Sequence, residues 1–180
     1  MAKSEILKPF ILSWEGGFVN DHDDRGGATM KGVTLATFRQ VYGQSRTVEE
    51  LRRITDAQWM TIFRRYYWDR WKADAISSQS VANLLVDWVW ASGRYGITIP
   101  QALLGVKVDG MVGPKTIAAL NGYRLGQEKL FEALWNDRQK YIEMISRKGN
   151  NQKFKRGWLR RLDGIKYGRL VCNGGRTIYF

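Results

Sequence analysis

The chain has 180 residues, the size of one domain or of one domain with a small appended part. Hydrophobic residues at 44% and charged residues at 26% match ordinary globular proteins and exclude disordered and fibrous classes. Lys and Arg total 29 against 17 Asp and Glu, a net charge of +12, which draws the molecule toward polyanions: nucleic acid, anionic lipid or anionic cell-wall polymers.

In chain order, the opening MAKSEILKPFILSWEGG carries too short an apolar run, and no small-residue cleavage site, to act as a secretory signal. Within it Ile6, Leu7, Phe10 and Ile11 fall at helical spacing, which predicts a short helix over Ser4–Ser13 ending at the EGG, with Pro9 tolerated near a first turn or as a kink. From Glu15 to Val33 the glycines break any helical period, so a loop or small hairpin is expected. Helices follow at Leu35–Tyr42 behind Thr34 as cap, after Thr47 with Glu50 as a capping box, and from Thr55 to about Trp71. QSVANLLVDWVWAS, Gln79 to Ser92, is apolar nearly all round, as a central buried helix is, and Gly93 and Gly96 are read as ending it.

Pro100–Leu104 reads as a short helix, GVKVDGMVGP as a turn-rich connection, and Pro114–Asn121 as a helix with proline in its first position. A long amphipathic helix from about Leu125 to Arg147 follows, then the basic segment KFKRGWLRRL and a tail. No segment approaches the ~18 apolar residues that span a bilayer. The fold class is mainly α, with one small irregular or β-hairpin element near the N-terminus.

The stretch WEGGFVNDHDDRGGATMKGVT, Trp14 to Thr34, concentrates carboxylates on irregular backbone, and three readings compete for it. A calcium loop has oxygen ligands in Asn20, Asp21, Asp23 and Asp24, but it lacks the alternating spacing, central Gly and closing Glu of an EF-hand. Turn-building by Asx side chains and glycines explains several of the residues. Acid cleavage of a glycoside needs a carboxylic acid to protonate the leaving oxygen and usually a second acidic group across the sugar. Glu15, beside Trp14 at the end of an apolar helix, sits where partial burial favours a protonated carboxyl. Asp24 lies across the glycine-rich turn from it, and Thr29 is a candidate for holding a water.

EGGFVNDHDDRGGATMKGVT resembles the signature of glycoside hydrolase family 108, lysozyme-like N-acetylmuramidases found among phage endolysins and bacterial proteins, some labelled secretion activators. RRYYWDRW, Arg64 to Trp71, resembles the family's aromatic segment, and VDWVWASG, Val86 to Gly93, its buried central helix. DGMVGPKTIAALN, Asp109 to Asn121, looks like its C-terminal peptidoglycan-binding-type segment, and KRGWLRRL fits as well. The resemblance implies a lysozyme-like fold, with residues 1–93 as the catalytic part and 94–180 as a peptidoglycan-binding-type part, packed as one unit. It implies Glu15 as the catalytic acid and places Asp24 and Thr29 near the Asp and Thr that accompany it in phage-type lysozymes, although the last interval is one residue shorter here. His22 stands where relatives often have Pro, and Ala91 where many have Asn.

Sugar rings present apolar faces that stack on aromatic side chains, so Tyr67 and Trp68, with Asp87, form the candidate substrate-binding set, whereas Trp90 reads as structural. His22 and Cys172 alone cannot build a zinc site, so neither metal nor cofactor is expected. The expected partner is peptidoglycan, with anionic cell-wall polymers attracted by the basic segment. No specific nucleic acid is expected, because no reading motif gathers the charge. The expected substrate bond is the β-1,4 link between N-acetylmuramic acid and N-acetylglucosamine. A lytic transglycosylase is the nearest enzymatic alternative, and a non-catalytic wall-binding or secretion-assisting module the non-enzymatic one. The expected location is synthesis in the cytoplasm and action at the cell wall or periplasm after release.

Overall fold

A computed structural model of the protein describes residues 1–20 and 27–180. The fold is mainly α, as the sequence leads one to expect. Helix α1 (Ser4–Trp14) leads to a hairpin of β1 (Thr29–Met30) and β2 (Val33–Thr34), followed by α2 (Leu35–Tyr42), α3 (Val48–Arg52) and α4 (Asp56–Phe63). After α5 (Gln79–Ser92) and α6 (Tyr95–Leu103) come α7 (Pro114–Asn121), α8 (Gln127–Ser146) and α9 (Lys155–Asp163). The chain closes in an antiparallel sheet of β3 (Ile165–Lys166), β4 (Arg169–Val171) and β5 (Thr177–Tyr179).

The helix starts are set locally. Thr34 Oγ1 accepts from the Thr37 amide at 3.1 Å. Thr47 and Glu50 satisfy each other's amides, and Thr55 and Gln58 do the same, which meets N–H groups that the first helical turn leaves unpaired.

Three stretches depart from the sequence expectation. The helix from Thr55 does not run unbroken to Trp71: α4 stops at Phe63, and Arg64–Trp68 widens into a π-type turn before 3₁₀ pieces take over. Such widenings occur often at functional sites, and this one carries Tyr67. Helix α6 begins at Tyr95 rather than Pro100 and keeps that proline inside it. Pro100 has no N–H to give the Gly96 carbonyl four residues back, and the Trp71 indole N–H fills that place at 3.0 Å. Gly96 is therefore no helix breaker. A Cβ there would lie 2.6 Å from the Val89 amide nitrogen, so glycine is what lets α6 approach α5. Finally, the tail is the three-stranded sheet, whose strands of two and three residues are too short to leave an alternating pattern.

Helix α5 occupies the middle, packed against α1, α6, α8 and β3. One apolar cluster runs from Leu7 and Phe10 through Val81, Leu84 and Leu85 to Leu134, Leu162 and Leu170. At ~25 cal/mol for each Å² of apolar surface removed from water, burial of this kind is the main stabilising term. Among the described residues no helix is long and apolar enough to cross a membrane.

Candidate active site at Glu15

Glu15 caps the C-terminal end of α1, its amide still bonded to the Ile11 carbonyl at 3.2 Å. From there the carboxylate meets two donors from distant parts of the chain. The Trp90 indole N–H reaches Oε1 at 2.7 Å, and Nη1 of Arg161 reaches the same oxygen at 2.9 Å. The side chain keeps 19% of its surface exposed, which leaves it accessible from outside. The sequence leads one to expect apolar surroundings for this acid; the structure gives it an ion pair and an indole donor instead.

The hairpin presses on the same group. Its two-residue turn, Lys31–Gly32, has positive φ at both positions, the geometry that matches the twist of the strands. A Cβ on Gly32 would lie 2.5 Å from the Trp90 ring and 2.8 Å from Glu15 Oε2, so only glycine lets the turn close over the carboxylate. Lys31, at φ 50°, is in a region that side chains other than Asn and Asp rarely adopt. The Trp59 indole N–H holds its carbonyl at 3.0 Å. Thr29 stands in β1 and exchanges backbone bonds with Val19 at 2.8 and 2.9 Å, so it belongs to the strand that leads into the turn. Asp24, with Asp21, His22 and Asp23, lies outside the described residues.

Behind Glu15 is a buried ion network. Asp87 on α5, 0% exposed, receives Nη2 of Arg138 at 2.7 Å and a two-pronged contact from Arg161, with Nη2 at 2.7 Å and Nε at 3.1 Å. Two carboxylates and two guanidiniums sum to zero, which is how four charges are tolerated where solvent is excluded. Burial pushes the Asp87 carboxyl up, but the charges of Arg161 and Arg138 outweigh it and hold the group below its usual range. Burial likewise works against the charged form of Arg161, and Asp87 and then Glu15 overcome it. Arg161 is thus clamped by Asp87 with two nitrogens while offering a third to Glu15.

An aromatic wall completes the corner. Tyr67 lies 4.5 Å from the Trp90 ring, and Phe63 stacks on Trp59 at 5.0 Å. The Tyr67 phenol is pushed up, first by burial and then by the negative charge of Glu15, so Tyr67 shares the acid's surroundings. Two of the residues expected to bind substrate do not reach it. Trp68 is fully buried and gives its indole N–H to Asp74 at 2.8 Å. Asp87 is fully buried and serves Arg138 and Arg161. Both placements have one cause: a large or charged side chain on the inward face of a helix is taken up by packing and pairing within the fold.

Sequence reasoning missed Trp90, Arg161, Arg138 and Gly32. A signal for the arginines was present, because an Asp in the apolar run VDWVWAS requires a cation. Which of 29 basic residues supplies it was not readable. Among the described residues no group of three His, Cys, Asp or Glu side chains gathers as metal ligands.

Comparison with known proteins gives two matches along the chain. Residues 8–93 match glycosyl hydrolase 108, and residues 95–163 match a predicted peptidoglycan domain. The N-terminal half of the chain therefore carries a glycosyl hydrolase 108 region. Glu15, Tyr67, Asp87 and Trp90 lie in the glycosyl hydrolase match, while Arg138 and Arg161 lie in the peptidoglycan-domain match, so the corner joins the two. Among solved structures, that of Brucella abortus SagA is 29% identical with a TM-score of 0.75, over 91% of this chain and 92% of that one. No curated protein matches. Family and second domain together support a glycoside hydrolase with a role at peptidoglycan.

Proposed function

We propose that this glycosyl hydrolase is an N-acetylmuramidase, a lysozyme-type enzyme that cleaves the β-1,4 bond between N-acetylmuramic acid and N-acetylglucosamine with Glu15 as general acid. The observation that carries it is the placement of Glu15. The carboxylate that opens the family-matched EGG is partly exposed, fixed at Oε1 by Trp90 and Arg161, and roofed by the Gly32 turn.

In this reading Glu15, in its protonated form, gives a proton to the glycosidic oxygen as the bond from C1 of the muramic acid breaks. The N-acetylglucosamine leaves with a free 4-hydroxyl. Water adds to C1 and loses a proton to a base, which leaves a new hydroxyl at C1, and that proton returns through solvent to Glu15. Asp24 is the candidate for receiving that proton or steadying the positive charge at C1, and Thr29 for positioning the water. Asp87 is no candidate, since two arginines hold it in the core. General acid and base groups contribute on the order of 10² to 10⁴ in rate. Tyr67, beside Trp90, offers a ring for the sugar. The site of action in this reading is the cell wall or periplasm.

The test is mass spectrometry of fragments from purified peptidoglycan digested with the wild type and with Glu15→Gln, which keeps the shape and removes the acid. Reducing N-acetylmuramic acid ends from the wild type, lost by ~10²-fold or more in the variant, support the proposal. Ends one water lighter would reassign the chain to lytic transglycosylases, where the sugar's own hydroxyl replaces water. Pelleting with walls without clearing them would make it a binding module.

A further inference from the structure

Helix α9 has two working faces. Arg161 points into the corner at Glu15. The residues at 155, 156, 159, 160 and 163 recur at helical spacing and line the far side, where they form one wall of an open groove of about 750 Å³. Trp14, the residue before Glu15, lines it too, with the Arg160 guanidinium 5.8 Å from its ring. The opposite rim is the turn between β4 and β5, where Gly174 and Gly175 at φ 99° and 90° leave open the space that side chains would fill, the Gly175 N–H being bonded to the Cys172 carbonyl at 3.0 Å.

The groove is positively charged. Lys155, Arg156 and Arg160 pair with no carboxylate among the described residues, and the acidic member of the lining, Asp163, is taken by Lys166. Three uncompensated cations, an aromatic face and an uncrowded glycine rim suit an extended, acidic, peptide-like chain: carboxylates to the cations, apolar parts to Trp14 and Leu159, and its main chain along the open glycine side. Arg156 and Arg160 belong to the segment that matches a predicted peptidoglycan domain. In peptidoglycan the peptide stem hangs from the muramic acid and carries free carboxylates. A glycan whose muramic acid sits at Glu15 would bring its stem alongside Trp14.

We infer that the groove between α9 and the β4–β5 turn is the binding site for the peptide stem of peptidoglycan, and makes the chain select peptide-bearing glycan over bare glycan. The inference rests on the muramidase reading for its geometry, and its test is built to fail separately. Binding of the Glu15→Gln chain, with and without Lys155→Gln, Arg156→Gln and Arg160→Gln together, is measured by titration calorimetry against soluble, uncross-linked glycan strands that carry their peptides and against the same strands stripped of peptide by an amidase. Binding to the peptide-bearing material should be weakened about tenfold by the triple change, the loss shrinking as salt rises. Binding to stripped strands should change less than about twofold. A matched triple change at Lys115, Arg124 and Arg147, exposed cations elsewhere, should leave both bindings alone. Equal losses on both materials, no loss on either, or an equal loss from the matched triple change would overturn the inference. Cleavage that survives Glu15→Gln would overturn the muramidase reading and leave this result standing. Circular dichroism of each variant shows that the fold is retained.

Discussion

The buried junction behind Glu15 and the basic groove on the other side of α9 use the same residue types in opposite ways. In the junction, Arg138 and Arg161 are 3% and 13% exposed and face Asp87 at 2.7 Å. In the groove, Arg156 and Arg160 are exposed and hold no carboxylate among the described residues. Burial makes the first set a structural commitment, because removing one partner strands a charge where water cannot reach it. Exposure leaves the second set free for an incoming anion. The cations of α9 are therefore divided between two uses, Arg161 turned into the junction and Lys155, Arg156 and Arg160 turned to the groove.

The largest effect expected from breaking this contrast is Asp87→Ala, which leaves two buried guanidiniums without their carboxylate. It should cost about 3–5 kcal/mol of stability, read as a lower midpoint in urea unfolding, and should free Arg161 to disturb Glu15. The same carboxylate gives the junction an acid-sensitive side. Asp87 titrates lower in the folded chain than in the unfolded one, so its contribution is complete above the ordinary aspartate range. It is lost as pH falls through the depressed folded value. Stability of the wild type should thus keep falling below about pH 4, and the Asp87→Ala chain should show a shallower acid decline when both are followed by denaturant midpoint against pH.

Gly32→Ala should rank next. The added Cβ meets Trp90 and Glu15 Oε2 at a backbone angle of φ 76°, a combination expected to cost about 1–3 kcal/mol. The proposed activity should fall by more than the thermal shift suggests, since the clash lands on the acid itself. Paired thermal melts and digestion rates check this, and unchanged digestion with a lowered melt would separate the turn from the chemistry. At the small end, Arg156→Ala on the groove face should move stability by no more than ~0.5 kcal/mol, measured by the same denaturation. A large loss there would erase the distinction between the two uses.

The legible parts of this protein are those that local chemistry decides. Thr47 with Glu50 signals its helix because both partners lie within one turn. Helices α5 and α7 run over the stretches that the pattern predicts, because an apolar run or a first-position proline leaves little choice. The π-type turn at Arg64–Trp68 was hidden because its aromatic residues fit a helix and the widening arises from packing. Pro100 looked like a helix start because the indole that replaces its missing N–H, on Trp71, comes from another element. Trp68 and Asp87 looked like ligands for sugar because composition cannot tell which way a residue faces.

The sequence by itself determined a mainly α chain, its helix caps, and Glu15 at the mouth of a glycine-rich loop, since each depends on neighbours within a few residues. Only the tertiary structure decided that Arg161, 146 positions away, reaches Glu15, that Asp87 stands behind it, and that the remaining cations of α9 face a groove. Those facts turn on which surfaces are buried together, and burial is a property of the packed core that no short stretch contains.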